Sequence, residues 1–193
     1  MISAPYLFCK NCSALVKSWW KAWPTSSAFR PRRFAVSCAA KLSSELPRLN
    51  FLLGLTYHKL GRSPEARGYF ERELRLNADD FLTLYYHAAL LEKSGELNLA
   101  RQQIAAALQQ EPQNAQALEL QGSILLKLGQ TAEAVRVLEQ VVAQQPENSD
   151  AHYLFARALQ KLGRKEDAAR AFAEAQRLKV QANEREKVRK PNP

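Results

Sequence analysis

The chain has 193 residues, of which 46% are hydrophobic and 24% charged, an ordinary composition for a protein that folds around a core. No stretch approaches the roughly 20 consecutive apolar residues of a membrane-spanning helix, so no membrane span is expected. The formal charge of +9 is unevenly spread: residues 1–46 carry +6, residues 47–182 carry +1 and residues 183–193 carry +2. Nucleic acid is therefore disfavoured as a partner, because phosphate recognition needs its basic patch on the ordered surface.

Residues 1–46 are a basic, non-repeat leader with all three Cys, all three Trp and no acidic residue before Glu45. Three readings fit: a transit peptide, a disordered segment, or a degenerate repeat. The run Arg32, Arg33, Phe34, Ala35 resembles the arginine-rich cleavage context of mitochondrial presequences. In the degenerate-repeat reading, residues 34–42 form a second helix with Val36 and Ala39 in the apolar register. Lys10, Lys17 and Lys21 interrupt every candidate secretory core. The expected location is soluble and intracellular, cytoplasmic or, if residues 1–34 are a transit peptide, mitochondrial. Cys9 and Cys12 have the spacing of half a structural zinc site, but Cys38 stands alone and His58 is distant, so no metal is expected. The odd cysteine count fits a reducing compartment, where the glycosylation pattern at Asn11 and Ser13 has no meaning.

From Pro47 the chain becomes periodic. Gly61, Gly95, Gly129 and Gly163 recur every 34 residues. Other columns keep the same beat: Ala66, Ala100, Ala134 and Ala168; Phe70, Ile104, Leu138 and Phe172; Gly54, Ala88, Gly122 and Ala156; Tyr57, Leu91, Leu125 and Leu159. A fixed period of this length marks a solenoid, in which each unit buries its face only against its neighbours. The apolar spacing Leu49, Leu53, Tyr57, Leu60 predicts a helix from Pro47 that Gly61 ends with a left-handed cap. A second helix then ends near Asn77, and Pro112 and Pro146 close the second and third periods. The two small-residue columns are expected to face one another where paired helices cross. Val180 stands where a proline would stop the last helix, so that helix should run on into the charged extension, residues 183–193.

These residues resemble the tetratricopeptide repeat. Leu53, Gly54, Tyr57, Gly61, Ala66 and Phe70 stand at the family's pattern spacing. The resemblance covers four units, residues 47–80, 81–114, 115–148 and 149–182. It departs at Asn50, His87, Gln121, Glu73 and Val180, where the pattern has Trp, Leu, Leu, a small residue and Pro. The implied fold is all-α, a right-handed α-solenoid of four antiparallel helix pairs.

The resemblance further implies that the first helix of each pair lines a concave groove. The residues then expected to bind a partner are Phe51, Leu55, His58 and Lys59 in the first unit, and Tyr85, Tyr86 and Lys93 in the second. Ser123 and Lys127 follow in the third, and Tyr153 and Arg157 in the fourth. Leu52, Ala89, Glu92, Glu119, Leu120, Leu126, Leu154, Gln160 and Lys161 share the face, although leucines here also pack between units. Lys59, Lys93, Lys127 and Lys161 form a column that reads either as a basic ladder for an acidic partner or as ordinary solvated lysines. Chaperone-binding members grip a terminal carboxylate with asparagines at two positions that are Leu55 and Tyr86 here, so a chaperone tail is disfavoured.

No phosphate-cradling loop, metal-ligand cluster or nucleophile elbow is present, and His58, His87 and His152 occupy different repeat positions. No catalytic residue and no cofactor are expected. The function expected is a non-enzymatic adaptor or scaffold that binds a peptide or helix of a partner protein. The alternative is a structural or self-associating array whose groove is incidental.

Overall fold

The computed structural model describes residues 48–189, with side chains to residue 186. The readings of residues 1–46, with Cys9, Cys12 and Cys38, and the role assigned to Pro47 lie outside the described residues. Within them stand α1 (Leu49–Lys59), α2 (Ser63–Leu76), α3 (Phe81–Ser94), α4 (Leu97–Gln110), α5 (Ala115–Lys127), α6 (Thr131–Gln144), α7 (Ser149–Lys161) and α8 (Lys165–Arg189). The fold is an all-α solenoid of helix pairs, with no strand among the described residues.

The turn inside each pair follows from its glycine. Gly61, Gly95, Gly129 and Gly163 have φ between 72° and 87°, a region where a side chain is strained. The next amide donates five residues back in every pair: Arg62 to Tyr57, Glu96 to Leu91, Gln130 to Leu125 and Arg164 to Leu159, at 2.9–3.0 Å. That bond satisfies a carbonyl the helix end would leave orphaned.

The turn between pairs has its own column, which the apolar pattern does not reveal. Asp80, Asn114 and Asn148 cap α3, α5 and α7, accepting from the amides of Thr83, Ala117 and Ala151 at 3.0–3.1 Å. The first helix lacks this device. It begins at Leu49 rather than at the expected residue 47, behind Arg48 at φ 65° with no side-chain cap. At the far end α8 runs to Arg189, as the loss of the stopping proline implies.

Consecutive helices pack in chain order. In addition α1 approaches α3, α3 approaches α5 and α5 approaches α7, whereas the backbones of second helices stay apart and are linked at their starts by side chains, Arg67 to Glu96 and Arg101 to Gln130. A row whose backbones approach, backed by a row whose backbones stay apart, curves with the first row inside. The core accordingly has no single centre. Phe51, Ala66, Phe70 and Leu90 join the first two pairs, Leu84 to Ile124 join the second and third, and Leu125 to Ala171 join the last two.

At the expected meeting of two small columns the glycine also meets a large side chain. A Cβ on Gly54 would stand 2.6 Å from the Phe70 ring, and one on Gly122 would stand 2.5 Å from Leu138. The glycine thus receives the large side chain one turn beyond the alanine column, while Ala66, Ala100 and Ala134 are fully buried beside it. In the fourth pair Ala156 holds the glycine's position, and Phe172 is only half-buried, its ring 5.7 Å from Tyr153.

Of the departures from the repeat pattern, Asn50, Glu73 and His87 are buried, and the last two leave polar atoms without partners. Glu73 is 1% and His87 6% exposed; Glu73 Oε2 and both His87 ring nitrogens lack a hydrogen-bond partner. Burial holds the His87 pKa below its ordinary value of 6.5, while Gln103, abutting the ring without a well-formed hydrogen bond, pulls the other way. The unfolded chain therefore takes up this proton at higher pH than the folded chain, and stability falls as pH drops through 6.5.

Replacing His87 by Leu, the residue at the equivalent Leu53, should stabilise the fold by about 1–3 kcal/mol at pH 7. It should also flatten the loss of stability between pH 7 and pH 5, as urea titrations would read. Gly122→Ala should cost about 1–3 kcal/mol through overpacking. Its coupling to Leu138→Ala in a double-mutant cycle checks which side chain it meets.

Candidate functional site

The inner row consists of α1, α3, α5 and α7, and the expected groove residues divide by what they touch. Lys59, Lys93, Lys127, Tyr153 and Arg157 are exposed; Leu55, His58, Tyr85, Tyr86 and Ser123 are half-buried. Phe51 is a correction. It is 6% exposed, with its ring 6.3 Å from Phe70 and 5.8 Å from Tyr86, so it belongs to the core and not to a docking surface. The cause is its position at the junction of the first two pairs, where α3 brings Tyr86 and Leu90 down on it.

The first junction carries an aromatic wall. Tyr86 stands edge-on to Tyr85 at 5.3 Å and to His58 at 6.4 Å, and Tyr85 stacks on Phe81 at 6.3 Å. Burial pushes the Tyr85 hydroxyl pKa up, with Tyr86 and Glu119 adding to the rise. Burial also lowers the His58 pKa, and the Lys93 ammonium lowers it further. Lys93 therefore lies within electrostatic reach of the imidazole.

The second junction is polar and internally satisfied. Glu92, with 12% of its side chain exposed, accepts from Ser123 Oγ at 2.7 Å and pairs with Lys127 Nζ at 2.8 Å. Ser123 and Lys127 thus tie α5 to α3. Farther along, between α5 and the cap of α7, Glu119, half-buried, accepts from Asn148 Nδ2 at 3.1 Å. Burial raises its pKa, the Asn148 amide opposes that, and Asp150 adds to it.

At the third junction Lys161 donates to the Leu126 carbonyl at 3.1 Å, a cation on the last turn of α5. Near it on α7, the Arg157 guanidinium lies 5.9 Å from the centre of the Tyr153 ring, which is 50% exposed. Leu55, His58, Lys59, Tyr85, Tyr86 and Lys93 gather on the adjoining helices α1 and α3; Tyr153 and Arg157 stand apart, since α3 and α7 do not touch.

Glu92 and Lys161 were absent from the leading sequence candidates, yet they shape the face most. Their signal lies across repeats: His58, Glu92 and Leu126 form one period-34 column, and Lys93, Lys127 and Lys161 each stand 35 residues later. Among the described residues, no group of three or more His, Cys, Asp or Glu is placed to hold a metal ion. Nor is any helix there long and apolar enough to cross a membrane.

An open inner face on a stack of helix pairs defines a helical-repeat scaffold. Tetratricopeptide repeat models match residues 50–82, 87–135 and 125–185, together more than half of the chain, which belongs to that family. Such proteins are protein-interaction scaffolds that bind protein partners and are typically non-enzymatic. No curated protein matches the chain in sequence. Among solved structures it is similar to a double mutant titled MamA RS-1 ArsTM, with 21% identity over 76% of this chain and 83% of that one, at a TM-score of 0.70. It is also similar to a crystal structure of MamA, with 17% identity over 78% and 88% and a TM-score of 0.70. A third, MamA 41-end from Desulfovibrio magneticus RS-1, is 27% identical over 68% and 75%, with a TM-score of 0.65. These likenesses bear on the fold.

A histidine NMR titration checks the first junction. His58 should titrate below 6.5, and Lys93→Ala should raise its midpoint without restoring it, because burial is the larger cause. An unmoved midpoint in Lys93→Ala would separate the two residues.

Proposed function

We propose that the chain is a non-enzymatic adaptor that seats a peptide segment or a helix of a partner protein along the inner row of first helices. The observation that carries this reading is the solvent-facing Tyr153 with Arg157 over its ring, matched on α3 by the half-exposed Tyr85. Rigid amphipathic rings and guanidinium groups left open on an ordered face are what protein interfaces use as anchors. Tyr85, Lys93, Tyr153, Arg157 and Lys59 lead the site; Leu55, His58 and Tyr86 form its wall; Ser123 and Lys127 hold its shape.

The reading disfavours chaperone tails, since Leu55 and Tyr86 offer no amide to a terminal carboxylate. It also disfavours nucleic acid, since the array carries a charge of only +1. A self-associating role is supported by one observation: Leu52 on α1 and Leu60 at its C-terminal cap are 55% and 51% exposed. At position 52, the equivalent Tyr86, Leu120 and Leu154 are half-buried.

The double variant Tyr85→Ala/Tyr153→Ala should keep the helical circular dichroism of the parent and lose its crosslinked partners. Partners retained in full by that variant would refute groove binding. Light scattering of the full chain addresses self-association, which predicts a mass that rises with concentration and falls with Leu52→Lys.

A further inference from the structure

One rule governs the contacts between successive first helices, and one junction breaks it. The lysine of each pair reaches back to the helix before it. Lys127 meets the Glu92 carboxylate at 2.8 Å, and Lys161 meets the Leu126 carbonyl at 3.1 Å. At the first junction the residue in Glu92's place is His58, which carries no negative charge in either protonation state. Lys93 is exposed and forms no hydrogen bond or ion pair among the described residues. The same holds for Lys59, which follows His58 on α1.

This corner of the groove therefore holds the Lys93 ammonium, the His58 imidazole and the Tyr85–Tyr86 wall, with Glu119 acting on the wall from the Tyr85 side. The acids of the face are already engaged. Glu92 is engaged by Ser123 and Lys127, and Glu119 by Asn148. We propose that the first junction receives an aspartate or glutamate side chain of the bound segment, seated on Lys93 with an adjoining apolar residue against the Tyr85–Tyr86 wall. The partner supplies from outside the carboxylate that Glu92 supplies one repeat later. The inference rests on the groove reading above and gives it a ligand chemistry: an acidic stretch carrying an aromatic or aliphatic residue. Recognition is of a side chain within a segment; of the two positions that hold asparagines in chaperone-binding relatives it uses only Tyr86, as apolar wall and not as an amide grip on a chain terminus.

The test is selection from a random-peptide display library with the full chain as bait, beside its Lys93→Gln and His58→Glu variants. The parent should enrich peptides with Asp or Glu next to an aromatic or aliphatic residue. Their Asn or Gln versions should bind about five- to tenfold more weakly by fluorescence anisotropy, the scale of a charge-assisted contact at a partly exposed site. Lys93→Gln should lose that discrimination, and so should His58→Glu, because the introduced carboxylate engages Lys93 from within. Equal binding of acid and amide peptides overturns the inference, as does an acid preference that survives both variants. If such indifferent peptides are still lost in Tyr85→Ala/Tyr153→Ala, the acid site falls and the groove stands. Peptides insensitive to those tyrosines remove the groove reading, and a library that yields no binder removes both.

Discussion

Each helix pair buries its apolar face only against the pairs beside it, and the rest of the molecule follows from that constraint. A two-helix unit of 34 residues is too small to enclose a core, so the core is strung between units and every unit needs a neighbour in register. Register is set at two turns. Inside a pair, the left-handed glycine and its five-residue back-bond fix the angle between the helices. Between pairs, Asp80, Asn114 and Asn148 fix where the next helix starts. With both turns held, the glycine pockets for Phe70 and Leu138 come into line without further instruction.

The parts of this legible in the sequence are those that repeat identically. Gly61 and its three counterparts announce the cap because the same backbone need recurs four times, and the alanine column announces a buried crossing for the same reason. Phe51 was misread because its equivalents are Tyr85, Glu119 and Tyr153; only the particular neighbours Tyr86 and Leu90 make it a core residue. Phe70 was not read as the side chain that meets Gly54, for a related reason. Periodicity shows that a column is small, but which large side chain fills the space depends on where the facing helix sits along its axis. Glu92 was hidden differently: its meaning lies in a relation between one column and another 35 residues on, which inspection of single columns cannot reveal.

The first two pairs also carry the irregular chemistry of the array. Glu73 and His87 sit inside where the pattern has apolar or small residues, and His58 faces a lysine where the next junction has a carboxylate. Buried polar groups without partners lower stability and are the usual sign that some other requirement is being met. Their presence in the same two pairs as the Tyr85–Tyr86 wall makes this end the chemically distinctive part of an otherwise regular stack.

The contact pattern of the two helix rows has a mechanical consequence. First helices approach one another along the inside, while second helices are linked to the start of the next second helix through side chains, Arg67 to Glu96 and Arg101 to Gln130. Bending the array therefore works against exposed side-chain links on the outer side without parting the clusters that join the pairs, so it costs less than separating pairs. Groove width and superhelical winding then become a single coordinate. A ligand that draws α3 toward α7 must wind the stack, and its affinity is set partly by the stiffness of contacts it never touches.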